Sequence, residues 1–304
     1  MTELPKDFTT RIIDLHGEDG HQWLENLPIL IASIEEQWCI RVDEPFHTLT
    51  YNYVAPATRE DGSEAILKLG VPGPHVEREA ECLHQYDGHG APYMLEHDSV
   101  LGAMLLERVR PGTDIKKLKE SEAIEVTVTV MRQLHLAPIS DTKLPTVHDW
   151  WNGFQRLRKQ FSGSTGPLPD RLVDEAESMY AELAGSMDRS VLLHGDLHHE
   201  NILAGDRLPW IAIDPQGVIG EPAYEVGAFL RNPMPDLLSW SGLDRILKKR
   251  VLVFSELLGI DKQRIAGWGF SQAVLSAIWS LEDHSSGWEG AIEVAHVLRT
   301  MATA

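Results

Sequence analysis

The sequence predicts an α+β fold in two lobes, a small one built on an antiparallel sheet and a larger, mainly helical one. Three observations carry this. Segments with strand-like alternation cluster before about residue 110, and helical periodicities dominate after it. Among those helices one apolar run, Val191-Leu-Leu193, breaks into the polar turn His194-Gly-Asp-Leu-His-His-Glu-Asn201. It resumes as Ile202-Leu203, and Trp210-Ile-Ala-Ile213 then alternates into Asp214.

The elements follow in order. Gln22 to Trp38 has Trp23, Leu27, Leu30, Ile31 and Ile34 on one side and predicts a helix, with a kink expected at Pro28. Thr48–Val54 alternates Leu49, Tyr51 and Tyr53, and Ala65–Leu69 returns after the Asp-Gly turn in Arg59-Glu-Asp-Gly-Ser63, so an antiparallel hairpin is expected. His75–Tyr86 is a helix with Val76, Ala80 and Leu83 on one face; strands follow at Tyr93–His97 and Gly102–Val109. Arg110-Pro111-Gly112 breaks the pattern and reads as a hinge. Helices are then expected over Asp114–Leu136, Val147–Gln160, Pro169–Met187, Leu243–Leu258, Ile265–Ser280 and Trp288–Met301. The division this implies is residues 1–109, a nucleotide-binding lobe with an N-terminal helical extension, and residues 110–304, a catalytic and substrate-binding lobe.

The polar turn carries the chemistry. His194, Asp196 and Asn201 keep the order and gaps of the H-x-D-x-x-x-x-N catalytic loop of protein kinases, and Asp214 stands where such a fold presents its second metal-binding carboxylate. Phosphoryl transfer needs one carboxylate to orient the acceptor hydroxyl. It also needs oxygen ligands for the magnesium that screens ATP's phosphates. A His- and Asp-rich turn that merely caps a hairpin would leave Asp214 and the upstream lysine unexplained. His194, His198 and His199 lack H-E-x-x-H spacing and have no cysteine nearby, which disfavours zinc.

Lys68 is the one cation in the apolar strand Ala65-Ile-Leu-Lys-Leu69. Burying an ammonium without a partner is costly, so an anion should await it. In a kinase small lobe that anion is ATP's α/β-phosphates, assisted by a glutamate on the next helix; Glu79 is the candidate and Glu77 its runner-up. Where a glycine-rich loop would cover the phosphates, the stretch from Phe46 to Pro56 has no glycine, which tells against a true protein kinase. Thr48, Thr50 and Asn52 are the phosphate donors available there. On the segment entering the hinge, the Glu107 carbonyl and the Val109 amide are placed to read adenine.

Composition sets the outer limits. The chain has 304 residues, 43% of them hydrophobic, and a formal net charge of −19. That charge argues against a nucleic-acid partner, which needs a basic stripe, and is compatible with a cationic small molecule. No apolar run is long enough for a membrane span, and residues 1–11 do not read as a secretory signal. Cys39 and Cys82 read as reduced, buried thiols of a cytoplasmic protein.

These residues together resemble the aminoglycoside phosphotransferases, within them the streptomycin 6-kinase and hydroxyurea-resistance kinase branch. Leu193-His-Gly-Asp-Leu-His-His-Glu-Asn-Ile-Leu203 is similar to the family's catalytic loop and Ile213-Asp-Pro-Gln-Gly217 to its metal-binding segment. Leu67-Lys-Leu69, Arg78-Glu-Ala80, Tyr86-Asp-Gly-His-Gly90 and Leu105-Leu-Glu-Arg108 are similar to its small-lobe and hinge motifs. Glu221-Pro-Ala-Tyr-Glu-Val-Gly227 and Ile278-Trp-Ser-Leu-Glu-Asp283 resemble later segments, so the likeness runs over about residues 48 to 283.

The resemblance implies a bilobal protein-kinase-like fold and ATP-dependent O-phosphorylation of a small hydroxylated molecule. Asp196 would orient the hydroxyl, Asn201 and Asp214 would hold Mg2+, and Lys68, placed by Glu79, would position the phosphates; His194 would brace the loop. A cationic aminocyclitol calls for an acidic pocket in the helical lobe. Trp279, Glu282 and Asp283 are the first candidates for it, then Asp236, Glu225 and Glu289. A metabolic kinase of the same fold, acting on choline, a sugar or a glycated amine, would share every catalytic residue. Trp240, Trp268, Trp279 and Trp288 keep an aromatic choline pocket open. A non-catalytic relative is disfavoured by the presence of Lys68, Asp196, Asn201 and Asp214.

Overall fold

The computed structural model describes residues 4–139, 142–284 and 287–303. Its first element, α1 (Lys6–Trp38), begins well before Gln22. Phe8 and Ile12, four apart, are buried with Trp23, Leu27 and Ile34, so the first turns are amphipathic too. The backbone leaves helical geometry at Gly17 (φ 57°, ψ −130°) and not at Pro28, which stays inside the helix. Only glycine takes such a conformation cheaply.

Five strands make the small sheet: β1 (Ile40–Val42), β2 (Tyr53–Arg59), β3 (Glu64–Leu69), β4 (Met94–Asp98) and β5 (Ala103–Glu107), in the order β1-β2-β3-β5-β4 and all antiparallel. The expected hairpin exists, but its first strand is shifted. It runs from Tyr53↔Leu69 to Thr58↔Glu64, and Thr48 to Asn52 is loop. The inward set is Tyr53, Ala55 and Ala57, which face α1 with Ala65, Leu67, Leu69, Ala103 and Leu105. The alternation of Leu49 and Tyr51 arises instead because one points into that core and the other towards the cleft. α2 (Pro74–Tyr86) packs on the opposite face. Its Val76, Ala80 and Leu83 join Met104 and Leu106 to the large core.

β6 (Pro111–Asp114) follows directly, so Pro111-Gly112 opens a strand where a break was expected. Gly112 has φ 73°, and a Cβ there would lie 3.0 Å from the Val109 carbonyl. The helix expected from Asp114 starts later. Asp114 accepts from the Lys116 amide and caps a 3-10 turn at Ile115–Lys117, and α3 covers Glu120–Leu134. α4 (Val147–Gln160) has the expected bounds, opened by a Thr146/Asp149 capping box, and α5 is Asp170–Gly185.

Next come β7 (Val191–Leu193), a 3-10 turn at His199–Asn201, β8 (Ile202–Gly205), β9 (Trp210–Ala212) and β10 (Val218–Gly220). They form two small sheets, β6-β8-β9 and β7-β10. α6 (Pro222–Leu230), α7 (Asp236–Ser239), α8 (Leu243–Leu258, as expected), α9 (Lys262–His284) and α10 (Glu289–Ala302) complete the helical part. α9 is the central post, packed by α4, α5, α6, α8 and α10. Among the described residues no helix is long and apolar enough to cross a membrane. Cys82 is buried, but Cys39, in the left-handed cap of α1, is exposed, contrary to expectation.

Candidate active site

The turn after β7 is fixed from below. The carboxylate of Glu225, on the buried helix α6, accepts from the His194 amide at 2.7 Å and the Gly195 amide at 2.9 Å. This removes Glu225 from the substrate candidates and makes it the anchor of the loop. The His194 ring is fully buried. Its Nε2 lies 2.8 Å from the Ile213 carbonyl, and its Nδ1 faces the Asp196 amide at 3.2 Å. Nε2 therefore carries the hydrogen, and burial keeps the ring's pKa low and the ring neutral.

Asn201 closes the turn. Its Nδ2 donates to the Asp196 carbonyl at 2.9 Å, and its own carbonyl accepts from the Ile213 amide at 2.9 Å. The loop is thereby tied to the segment ending in Asp214, whose backbone is left-handed (φ 60°). Such a conformation in a residue other than glycine costs energy and recurs at functional sites. Asp214 Oδ1 accepts from Lys68 Nζ at 2.9 Å, and Lys68, 4% exposed, donates to Glu79 at 2.6 Å. Glu77 points elsewhere, 3.5 Å from His97. Burial lowers the ammonium's pKa, but Asp214 and Glu79 outweigh it and raise the net value. The Asp214 side chain is half-exposed; the protein packed around it still works against its charge, and Lys68 outweighs that, leaving its pKa lowered.

The donor set fits a magnesium–nucleotide. With Nδ2 of Asn201 engaged, its Oδ1 is left for a cation, and Asp214 keeps its Oδ2. Among the described residues no group of three or more His, Cys, Asp and Glu side chains could hold a metal ion. A hard ion held by one carboxylate, one amide and phosphate oxygens matches magnesium's habit. His199 stacks on Phe229 at 4.0 Å and His198 caps the Glu200 amide, so neither builds an imidazole site.

Asp196 opens onto a cavity of about 1000 Å³. Its Oδ1 accepts from Arg231 at 2.8 Å, and His198 Nε2 lies 3.5 Å from Oδ2. Burial opposes the charge on Asp196, but His198 and then Arg231 outweigh it, so its pKa is lowered. Trp279, Glu282 and Asp283 line the same cavity, with Trp150 edge-on to Trp279 at 5.3 Å. Glu282 is held by Arg156 at 2.8 Å. Glu289 also lines the cavity, whereas Asp236 pairs with Lys116 at 3.3 Å. Trp268 is fully buried and Trp240 lies near Arg250, so the aromatic cage weighed from sequence does not form from those two.

The remaining candidates lie at the small-lobe side. Thr48 and Thr50 are exposed on the loop before β2, and the Thr50 carbonyl accepts from Arg11. The Glu107 side chain is gripped by Arg207, which donates to both carboxylate oxygens and to the Gly88 and Ala91 carbonyls. Among the described residues nothing takes up the Val109 amide, which suits an adenine acceptor. Sequence reasoning missed Arg231, Trp150 and Tyr51. For Arg231 a signal existed: a cation closing the apolar run Val226–Leu230 needs a buried anion, the argument applied to Lys68.

A family model described as aminoglycoside/hydroxyurea antibiotic resistance kinase matches residues 38–284. The chain is 29% identical to a streptomycin 6-kinase of Streptomyces glaucescens, over 98% of each chain. It is 32% identical to a hydroxyurea phosphotransferase of Kitasatospora aureofaciens, over 98% of this chain and 86% of that one. Its fold is similar to that of a thermostable mutant of the aminoglycoside phosphotransferase APH(4)-Ia in complex with ADP and hygromycin B. The TM-score is 0.63 at 15% identity, covering 90% of this chain and 97% of that one. The protein-kinase-like fold and the motifs on the loop from His194 to Asp214 thus meet in one assignment: the chain belongs to the aminoglycoside/hydroxyurea antibiotic resistance kinase family and is a phosphotransferase with an alcohol-type acceptor.

Proposed function

We propose that the protein transfers the γ-phosphoryl group of ATP to a hydroxyl of a cationic, streptomycin-like aminocyclitol. The observation that carries this is the cavity of about 1000 Å³ into which Asp196 opens, walled by Trp150, Trp279, Asp283 and Glu289. Hydroxyurea would occupy a small fraction of that space, so the streptomycin kinases are the better guide to the acceptor. The acids Asp283 and Glu289 on the wall favour a cation over a neutral sugar.

In this reading Asp196 accepts a hydrogen bond from the acceptor hydroxyl and aims its oxygen at the phosphorus. Its lowered pKa suits orientation better than strong proton abstraction. Lys68, placed by Glu79, holds the α/β-phosphates, and donors at Thr48 and Thr50 lie over them. The Glu107 carbonyl and Val109 amide read the adenine. Asn201 and Asp214 hold Mg2+, which neutralises phosphate charge when bound. Residues 1–109 act as the nucleotide lobe and residues 110–304 as the catalytic and acceptor lobe. The cytoplasm, where ATP is abundant, is the place for such a reaction.

The test is ATP consumption with streptomycin, choline, fructosamine and hydroxyurea as acceptors, followed by identification of the phosphorylated product. Streptomycin is expected to be phosphorylated, and Asp196→Asn to lower kcat by roughly a thousandfold while nucleotide binding survives. Preferred turnover of choline or fructosamine would overturn the acceptor class. Undiminished turnover by the variant would remove Asp196 from the mechanism.

A further inference from the structure

The loop that replaces the glycine-rich loop does not end its work at the nucleotide. Its residue Tyr51 lines the acceptor cavity together with Asp196, Trp279 and Asp283. The ring is 45% exposed, unusual for a tyrosine ahead of a buried strand. Burial first, then Asp283, raises the pKa of its hydroxyl; Arg11 lowers it and Asp196 adds a smaller rise. Both acids therefore lie within electrostatic reach of that one phenol, on the acceptor side of the cleft.

The loop is held there from outside the matched family region, which starts at residue 38. Arg11, half-buried on α1, donates to the Thr50 carbonyl at 3.1 Å and lies 5.5 Å over the Tyr51 ring. The break at Gly17 makes this possible by redirecting the first turns of α1. Phe8 and Ile12 dock in the same small core as Leu49, the loop's own buried anchor. Trp23 meets Phe8 edge-on at 6.4 Å and fixes the returning segment. α1 also touches α9, the helix that carries Trp279 and Asp283.

We propose that Tyr51 is a specificity-determining residue that covers the acceptor, and that Arg11 is the positioning residue that keeps it in place. This rests on the small-molecule kinase reading above. A phenol ring over a cavity with carboxylates on its far wall suits a guanidinium or ammonium group, which gains from the ring face and the acids together. A covered acceptor also excludes water, the competing phosphoryl acceptor. The loop thus joins two tasks, donors for the phosphates at Thr48 and Thr50 and a cover for the acceptor at Tyr51.

The experiment compares wild type, Arg11→Ala, Tyr51→Ala and Tyr51→Phe in the full chain. The readouts are KM for streptomycin, KM for ATP, ATP hydrolysis without acceptor, and amide hydrogen exchange over residues 44–52. Arg11→Ala and Tyr51→Ala are expected to raise the acceptor KM by roughly fivefold or more, with the ATP KM moved less than roughly twofold. Tyr51→Phe, which keeps the ring and loses only the hydroxyl, should raise the acceptor KM by less than Tyr51→Ala does. Arg11→Ala should speed exchange of the loop, and Tyr51→Ala should increase acceptor-free hydrolysis. Equal rises in both KM values, or an unmoved acceptor KM, would overturn the inference and leave a simple nucleotide loop. If wild type hydrolyses ATP but phosphorylates no aminocyclitol, the acceptor assignment fails and the exchange result decides the clamp: unchanged exchange in Arg11→Ala refutes it.

Discussion

Arg231 donates to Oδ1 of Asp196 at 2.8 Å, and its other terminal nitrogen donates to Gln272 at 3.2 Å. Gln272, on α9, is tied in turn to the Tyr224 carbonyl. The carboxylate proposed to orient the acceptor hydroxyl is thus fixed by a buried chain running back into the central helix. Arg231→Met should leave Asp196 free to rotate away from the acceptor. A fall in kcat of roughly a hundredfold is expected, with nucleotide affinity little changed. Arg231→Lys keeps the charge without the fork and should recover part of the loss. Steady-state kinetics on the three proteins checks this. A change confined to KM would mean that Arg231 contributes to binding only.

Lys68 bridges Glu79 and Asp214 across the cleft. Glu79 is 8% exposed, so removing the ammonium strands a buried carboxylate. Lys68→Met should therefore destabilise the fold by about 3 kcal/mol as well as abolish turnover. The double variant Lys68→Met/Glu79→Gln strands no buried charge, because the Asp214 carboxylate it leaves unpaired is half-exposed to water. It should regain most of the stability and none of the activity. Denaturant melts and ATP turnover on both variants separate the two effects. Equal stability of the single variant and wild type would show that Glu79 is not dependent on Lys68.

Arg207 sits at the tip between β8 and β9 and reaches across to the small lobe. It grips Glu107 and two small-lobe carbonyls, and its guanidinium lies 4.4 Å from the centre of the Tyr93 ring. Glu107 leads into the hinge, so this contact sets how the nucleotide edge lies against the large lobe. Arg207→Ala should weaken nucleotide affinity by roughly threefold to tenfold and lower the melting temperature, with the acceptor KM nearly unchanged. Calorimetric titration with an ATP analogue reads the first effect directly. Unaltered affinity would reduce Arg207 to a surface brace.

The loop from His194 to Asn201 stood out because phosphoryl-transfer chemistry demands particular side chains at fixed gaps, and the partner expected for Lys68 is present because a buried charge must have one. Helices α4 and α8 were legible because one face is apolar and one polar. The same reasoning failed on α6, where every residue from Ala223 to Leu230 is buried and no stripe exists to read. Three-residue strands such as β1 and β10 carry too little pattern to be seen. The loop from Thr48 to Asn52 misled because Leu49 and Tyr51 alternate for two unrelated reasons, a core anchor and a cleft-facing ring. Arg231 and Tyr51 reach the site only through tertiary folding, and their neighbours in sequence do not announce it.

His199 supplies a pH signature. It is 3% exposed, stacked on Phe229, and neither ring nitrogen finds a partner among the described residues. Burial first, then the neighbouring Arg250, His198 and Lys116 side chains, lowers its pKa to about 2. An unfolded histidine titrates near 6.5. Below that pH the unfolded chain takes up a proton that the folded chain refuses, so stability falls as the pH drops. The slope from this one group is about 1.4 kcal/mol per pH unit, or about 2 kcal/mol between pH 6.5 and pH 5. His199→Phe removes the titrating group and sacrifices no hydrogen bond. Its melting temperature should therefore fall less than wild type's over the same acid range, the two curves converging relative to their offset near pH 7. Parallel curves would mean that His199 is protonated, or exposed, in the folded protein.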